Sequence, residues 1–134
     1  MNRILSWKGF SLLLVLLLLS GCSAPPETRA GEWDVGTEHG DFTLNVSDDG
    51  MTITEVIFEF ECKGMEVSRT NVSMTDYGAI EGNKFIFSVT LGFLGRIAKW
   101  EGKFSSNGKR LTGTVTYMPS EISGGCKENF KSSR

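Results

Sequence analysis

The chain has 134 residues, of which 40% are hydrophobic, and its 14 basic and 16 acidic side chains give a formal net charge of −2. This length and apolar content suffice for one folded domain with a core of its own. The sequence has no run of lysine or arginine and predicts no basic patch. It therefore argues against nucleic acid as a partner and against polybasic attraction to anionic lipid.

The first 21 residues have the parts of a secretory signal peptide. Arg3 and Lys8 make the start positive, residues 10–19 are almost wholly apolar, and two small residues follow. The apolar run is shorter than the roughly 20 residues that span a bilayer. The sequence therefore predicts that residues 1–21 are cleaved from the mature protein.

The motif that ends this segment, Leu19-Ser20-Gly21-Cys22, resembles the lipobox of bacterial lipoproteins. The resemblance implies cleavage before Cys22, a diacylglyceryl group on its sulfur, and often a further acyl chain such as palmitate on the new amine. It also implies attachment to a membrane of the cell envelope, since two or more acyl chains anchor a protein stably. The alternative is a plain secreted protein in which Cys22 occurs by chance.

Two further cysteines, Cys62 and Cys126, remain if Cys22 carries lipid. An even pair in an oxidising compartment predicts a disulfide. The alternative is a pair of free or metal-binding thiols, which neither a Cys-x-x-Cys motif nor a nearby histidine supports.

Residues 22–31 are rich in proline and small polar residues. If residues 23–31 are extended as polyproline II, they span about 28 Å. We therefore expect a lipidated tether over residues 22–31 and a folded domain over residues 32–134.

The residue pattern of the rest of the chain is typical of a β protein. β-branched and aromatic residues alternate with polar ones, turn signals recur every 8–12 residues, and no stretch keeps a helical period. Asp48-Asp49-Gly50 and Asn107-Gly108 predict hairpins, and a change of parity predicts a bulge near Thr54-Glu55. Strands are expected over residues 42–46, 51–62, 67–75, 85–91, 98–104, 111–117 and 127–131. A turn with a short strand is expected over residues 77–83.

The stretch from Trp100 to Thr114 contains a Gly-x-Phe strand, an Asn-Gly turn and a Gly-Thr strand. It resembles small β-sandwich or jelly-roll domains of bacterial secreted proteins. The resemblance implies a single antiparallel, jelly-roll-like β-sandwich in which a late cysteine pairs with one on an earlier strand. It implies no activity, because fold alone does not determine function.

His39 is the only histidine, and it stands beside Asp41. One hypothesis makes it a general base steered by a carboxylate; the favoured alternative is a loop histidine ahead of a strand. A single histidine does not exclude a catalytic triad, which is recognised by geometry. The Gly-x-Ser-x-Gly elbow of one hydrolase class is missing from the sequence.

Acidic residues suggest two further sites, and we favour neither. Glu55, Glu59 and Glu61 share one parity and could serve glycoside chemistry. We interpret them instead as the solvent face of a half-buried sheet, with Lys99 and Lys103 as cross-strand partners. Calcium could use the acids near the start of the domain, but their spacing is not that of a calcium loop. These acids are Asp34, Glu38, Asp41, Asp48 and Asp49.

Amphipathic aromatic residues could form a stacking platform for sugar rings. Core positions are the favoured interpretation, although Trp33, at the domain edge, stays a candidate ligand-binding residue. These aromatics are Trp33, Tyr77, Trp100 and Tyr117.

The loop Gly92-Phe93-Leu94-Gly95 is unusual in being apolar. We expect Phe93 and Leu94 to cap one end of the sandwich, and the alternative is an exposed contact surface.

Together these features predict a non-enzymatic lipoprotein of the cell envelope whose β domain binds or scaffolds, with another envelope protein or a glycan as partner. No catalytic residue, cofactor or metal is expected. One alternative is a carbohydrate- or small-ligand-binding module that uses Trp33, Trp100 or Tyr117. The other is a small hydrolase that uses His39.

Overall fold

The computed structural model of the chain describes residues 24–118 and 124–134. The expected signal peptide, Cys22 and most of the loop before Cys126 lie outside these residues. The described part contains no α-helix and consists of two short 3-10 turns, Pro26–Arg29 and Gly92–Leu94, and eight strands. The strands are β1 (Gly31–Gly36), β2 (Gly40–Val46), β3 (Ile53–Cys62), β4 (Met65–Ser73), β5 (Lys84–Thr90), β6 (Arg96–Phe104), β7 (Arg110–Tyr117) and β8 (Cys126–Ser133).

The strands form two four-stranded antiparallel sheets, which confirms the all-β sandwich. The first sheet has the order β1-β2-β3-β4 and the second has the order β5-β6-β7-β8. Each sheet is therefore a meander, which differs from the two Greek keys of a jelly roll. The physical reason is that short turns join consecutive strands within each sheet, so each strand pairs with the next one along the chain. Gly50 and Gly108 supply the positive φ that two of these turns require.

The seven longer predicted strands and the predicted turns are confirmed, and one further strand was not predicted. The short strand expected within residues 77–83 is wrong, because that segment forms only isolated bridges at Ala79 and Glu81. Asn45 pairs with Glu55 while Val46 pairs with Ile53, which leaves Thr54 as the extra residue of the expected bulge. The strand not predicted is β1, whose glycines and charged residues leave only two apolar side chains for the alternation.

The core consists of the inward side chains of both sheets, and aromatic rings dominate it. The Trp100 ring lies 5.3 Å from Phe58 and 5.2 Å from Phe87, measured between ring centroids. Such edge and stacked contacts stabilise beyond the burial of area alone. Gly102 faces inward, where a side chain would overlap the ring of Phe85. The ring thus occupies the space that the glycine leaves.

The predicted disulfide is confirmed. Cys62 ends β3 in the first sheet, Cys126 begins β8 in the second, and their Cα atoms are 6.0 Å apart. The bridge closes a separation of 64 residues, for which chain-entropy models give about 4 kcal/mol. It ties the two sheets together at one end, which we call the distal end. That end also holds the β1–β2 turn and the β5–β6 turn.

At the opposite, proximal end, residues 24–30 pack against the domain, which differs from the expected extended tether. The backbone N–H of Ala24 donates to the Ser106 carbonyl at 2.9 Å. The buried Arg29 donates to the carbonyls of Gly50 at 2.6 Å and Gly82 at 2.7 Å. Burial of this guanidinium is tolerated because it is hydrogen-bonded to two turns. The folded domain therefore begins by Ala24 and not at residue 32.

Replacing Arg29 tests this arrangement. Arg29→Met should lower the free energy of unfolding by about 2–3 kcal/mol, because two carbonyls lose a charged donor. Arg29→Lys keeps the charge with fewer donors and should lose less. Urea denaturation followed by circular dichroism measures both. Arg110→Met, at an exposed position, is the control and should stay within about 0.5 kcal/mol of the wild type. An unchanged urea midpoint for Arg29→Met would contradict the structural role of this residue.

Candidate functional site

The most exposed apolar group of the described chain is the turn between β5 and β6, which we call the distal tip. The Phe93 side chain is 99% exposed and that of Leu94 is 52% exposed. The expected cap over the end of the sandwich is therefore wrong, and the alternative of an exposed contact surface fits. Exposed apolar patches of this kind mark interaction sites more often than isolated surface hydrophobics do.

The backbone of the distal tip accounts for this exposure. Gly92 and Gly95 both have positive φ, at 49° and 75°, so the chain turns tightly on either side of the two apolar residues. The Leu94 N–H donates to the Leu91 carbonyl at 2.9 Å, which closes the turn. Leu91 packs against the core. The turn is thus fixed at its base, while Phe93 and Leu94 point into solvent.

Trp33, the other expected ligand-binding residue, is 1% exposed and cannot contact a ligand from the surface. Its indole Nε1 donates to the Arg29 carbonyl at 2.9 Å. Trp100 and Tyr117 are also fully buried. The sugar-stacking platform therefore does not form, and the core interpretation of these three rings is confirmed. Tyr77 is exposed at the proximal end, but the other three rings are buried and cannot form a platform with it.

His39 lies in the β1–β2 turn, beside β8 of the other sheet. The carboxylate of Glu128 accepts the backbone N–H of Glu38 at 2.8 Å and that of His39 at 3.2 Å. Ligand atoms of Glu38, His39 and Glu128 lie within 4.8 Å of one another. The carboxylate thus holds the turn against the neighbouring sheet. A cation could be held by the same atoms, but the backbone hydrogen bonds already account for the position of Glu128.

The hydrolase alternative required His39 within reach of a serine. Among the described residues, no hydrogen bond joins the His39 ring to a serine hydroxyl. The ring lines an open cavity of about 390 Å³ together with acidic side chains of β3 and β4. Glu128 could not be paired with His39 in advance, because 89 residues separate them and nothing in the sequence indicates that the β1–β2 turn lies against β8.

Tyr117 lies behind this turn. Its hydroxyl is 3.3 Å from the hydroxyl of Thr37, and its ring stacks on Phe60. Burial raises the pKa of Tyr117 to about 12, and the carboxylates of Glu128 and Asp41 add to the increase while the Thr37 hydrogen bond opposes it. The phenol is therefore neutral at any physiological pH and serves packing.

The acidic candidates are dispersed and have structural partners. Asp34 accepts a hydrogen bond from the Thr43 hydroxyl at 2.6 Å, and Asp49 accepts one from the Met51 N–H within its turn. The hydrogen bond from the Ser47 hydroxyl, followed by that from the Met51 N–H, lowers the pKa of Asp49. These carboxylates do not converge on one point, so the calcium hypothesis gains no support.

The carboxylate row on β3 lies on the outer face of the first sheet, as the favoured interpretation expected. Glu55 accepts a hydrogen bond from the Asn45 side chain at 2.6 Å. The prediction that Lys99 and Lys103 are cross-strand partners of this row is wrong, because both lie on β6 in the other sheet.

The prediction of no basic patch is also wrong. Lysines and an arginine from four different strands meet on the outer face of the second sheet. The sequence signal for this patch is that Lys99 and Lys103 share one parity of a strand, as do Lys127 and Lys131. Each pair is too widely spaced to stand out as a run of basic residues. The residues that gather there are Lys84, Lys99, Lys103, Arg110, Lys127 and Lys131.

The raised pKa of Tyr117 makes a prediction about pH. Because the folded pKa lies above the unfolded value of about 10, the stabilising contribution of the neutral phenol is complete below pH 10. It is lost as the pH rises towards 12, by up to about 1 kcal/mol per pH unit. Urea unfolding between pH 8 and 11.5 should show a steeper loss for the wild type than for Tyr117→Phe. Tyr77→Phe is the control and should keep the wild-type slope; parallel curves for wild type and Tyr117→Phe would contradict the assignment.

The distal end thus combines an exposed apolar tip with a turn held by Glu128, and the outer face of the second sheet is basic. The chain matches no family model, no curated protein and no solved structure.

Proposed function

We propose that the chain is a lipid-anchored protein of the cell envelope whose sandwich is a non-catalytic binding module. In this proposal the distal tip contacts a partner protein on the side away from the membrane. The observation that carries it is the full exposure of Phe93 at the end of the sandwich opposite Ala24.

The position of Ala24 supports this orientation. Its hydrogen bond to Ser106 holds the start of the described chain at the proximal end. Ala24 is two positions after Cys22, a reach of at most about 7 Å, so lipid on Cys22 would keep that end near the bilayer. The seven residues of β5 then place the tip about 23 Å further out. The described residues include no helix with the length and apolar character needed to cross a bilayer.

The chemistry of the tip favours a protein with an apolar groove as the partner. Phe93 and Leu94 are adjacent, with a glycine on either side, so a partner can enclose both. Burying one such side chain contributes about 1.5–3 kcal/mol. The tip is therefore suited to a contact of moderate strength in which Phe93 is the main anchor.

The anchor is tested by Cys22→Ala in cells that are fed an alkyne-tagged fatty acid. We expect the tag to be absent and the precursor to stay uncleaved, because the acceptor sulfur is missing. Cys126→Ser removes a different cysteine and should still be tagged. A Cys22→Ala protein that is cleaved and bound to the membrane would overturn the anchor.

The tip is tested with a photo-crosslinking residue at position 93 of the full chain in native envelopes. We expect a discrete adduct that is weakened roughly tenfold or more by Leu94→Ser, since burial of that side chain is lost. The matched control carries the crosslinker at position 48, an exposed site in the β2–β3 turn at the proximal end. Equal adducts from both positions, or none from position 93, would rule out the tip as the contact.

A further inference from the structure

The two sheets carry opposite charge. Strands β1 to β4 contain seven acidic residues and one basic residue, Arg69, whereas β5 to β8 contain seven basic residues and two acidic ones, Glu101 and Glu128. Charged residues alternate with buried ones along most of these strands, so they lie mainly on the outer faces. We call the outer face of the first sheet the acidic face and that of the second the basic face. The acidic face consists of Glu32, Asp34, Asp41, Glu55, Glu59, Glu61 and Glu66.

Neither face neutralises most of its own charge. Lys84 lies directly across from Lys103 on the basic face, and Glu61 lies directly across from Glu66 on the acidic face. Like charges in directly opposite positions destabilise a sheet. Among the described residues, the ion pair within 4.0 Å is that of Lys99 with Glu101, at 3.0 Å. The fold therefore keeps unfavourable pairs on both faces, which an external surface of opposite charge would relieve.

We propose that this external surface is a second copy of the chain, with the basic face of one copy packed on the acidic face of the next. The two faces lie on opposite sides of one sandwich, so the contact is heterologous and leaves one face open for a further copy. Each face also has an isoleucine among its polar residues, Ile86 at 59% exposure on the basic face and the half-buried Ile57 on the acidic face. A cavity of about 510 Å³ beside Ile86, lined also by Tyr77 and Phe85, offers a place for an apolar side chain.

The size of the faces sets the strength of the contact. Four strands about 4.8 Å apart and about eight residues long cover roughly 500 Å², so a pair of copies buries roughly 1,000 Å². That area is at the low end for specific interfaces, and the exposed charges are screened beyond about 8 Å at physiological salt. The contact is therefore weak and salt-sensitive in solution.

Anchoring would strengthen the assembly. The strands run from the proximal to the distal end, so copies anchored at the proximal end stand side by side with their faces towards one another. Confinement to a plane raises the effective concentration of neighbouring copies. The pairing of the faces is independent of the anchor, and only this lateral arrangement on a membrane rests on the proposed function.

Two matched charge reversals test the pairing. Lys84→Glu with Lys103→Glu reverses two charges of the basic face and removes most of its net positive charge, and Glu32→Lys with Glu55→Lys reverses two charges of the acidic face at the same end of the sandwich. In the first variant the two new glutamates lie directly opposite each other, as the two lysines do in the wild type. In the second variant the two new lysines lie on the strands on either side of Asn45.

The readout is sedimentation velocity at 20 mM and 500 mM salt in a neutral detergent. The protein is purified as the cell processes it, with or without lipid, so that failure of the anchor and failure of the pairing are distinguishable. We expect wild type to associate at 20 mM salt and to dissociate at 500 mM. Each variant alone should bind itself at least tenfold more weakly, whereas an equimolar mixture of the two should associate again.

Several outcomes would overturn the pairing. They are a wild type that stays monomeric at 20 mM salt, a mixture that does not associate, and an acidic-face variant that associates as wild type does. A different result would assign the basic face to a membrane instead. In that case the basic-face variant would no longer bind vesicles of anionic phosphatidylglycerol, but it would still associate with itself as wild type does. If the basic-face variant melts below wild type, Lys127→Glu with Lys131→Glu, at two exposed positions of β8, replaces it.

Discussion

Successive side chains of a β-strand point to opposite sides of the sheet, and the structure depends on this alternation. In β5, Phe85, Phe87 and Val89 are buried, and the four residues around them are exposed. The same two-residue period along most of the strands joins the inward side chains of both sheets into one aromatic core. It also places the residues between them on two outer faces. One geometric rule therefore produces both the stability of the domain and the separation of its charge.

The ends of the sandwich are closed by different means. At the distal end, the disulfide and the Glu128 carboxylate join the two sheets. At the proximal end, Arg29 binds the carbonyls of Gly50 and Gly82, and the Arg134 guanidinium lies over the Trp33 ring, 4.1 Å from its centroid. These contacts lie at the ends of the strands, where the backbone hydrogen bonds of the sheets stop. What stays exposed at an end, such as Phe93, is held by a turn with a fixed base.

Most of the fold could be predicted from the sequence because it depends on local patterns. Alternation located seven strands, the Asx-Gly pairs located two turns, and the cysteine count identified the disulfide. β1 could not be found, since its short run has only Trp33 and Val35 to indicate alternation. The contacts that join distant segments were equally out of reach, because the position of Arg29 against Gly82 depends on the packing of whole strands. The exposure of Phe93 was misjudged for a related reason: its apolar character indicates burial, whereas the turn geometry directs it outward.

Arg29 has a mechanical consequence for the chain. A pull applied on the N-terminal side of Ala24 is transmitted first to the Ala24–Ser106 hydrogen bond and then to the guanidinium contacts with Gly50 and Gly82. Because these contacts connect the segment to turns of both sheets, the load is shared between the sheets before it reaches β1. An edge strand that is peeled from its neighbour breaks one hydrogen bond at a time, and it is the weakest part of a sandwich under tension. The Arg29 contacts would therefore have to break before a force applied on the N-terminal side of Ala24 reaches β1.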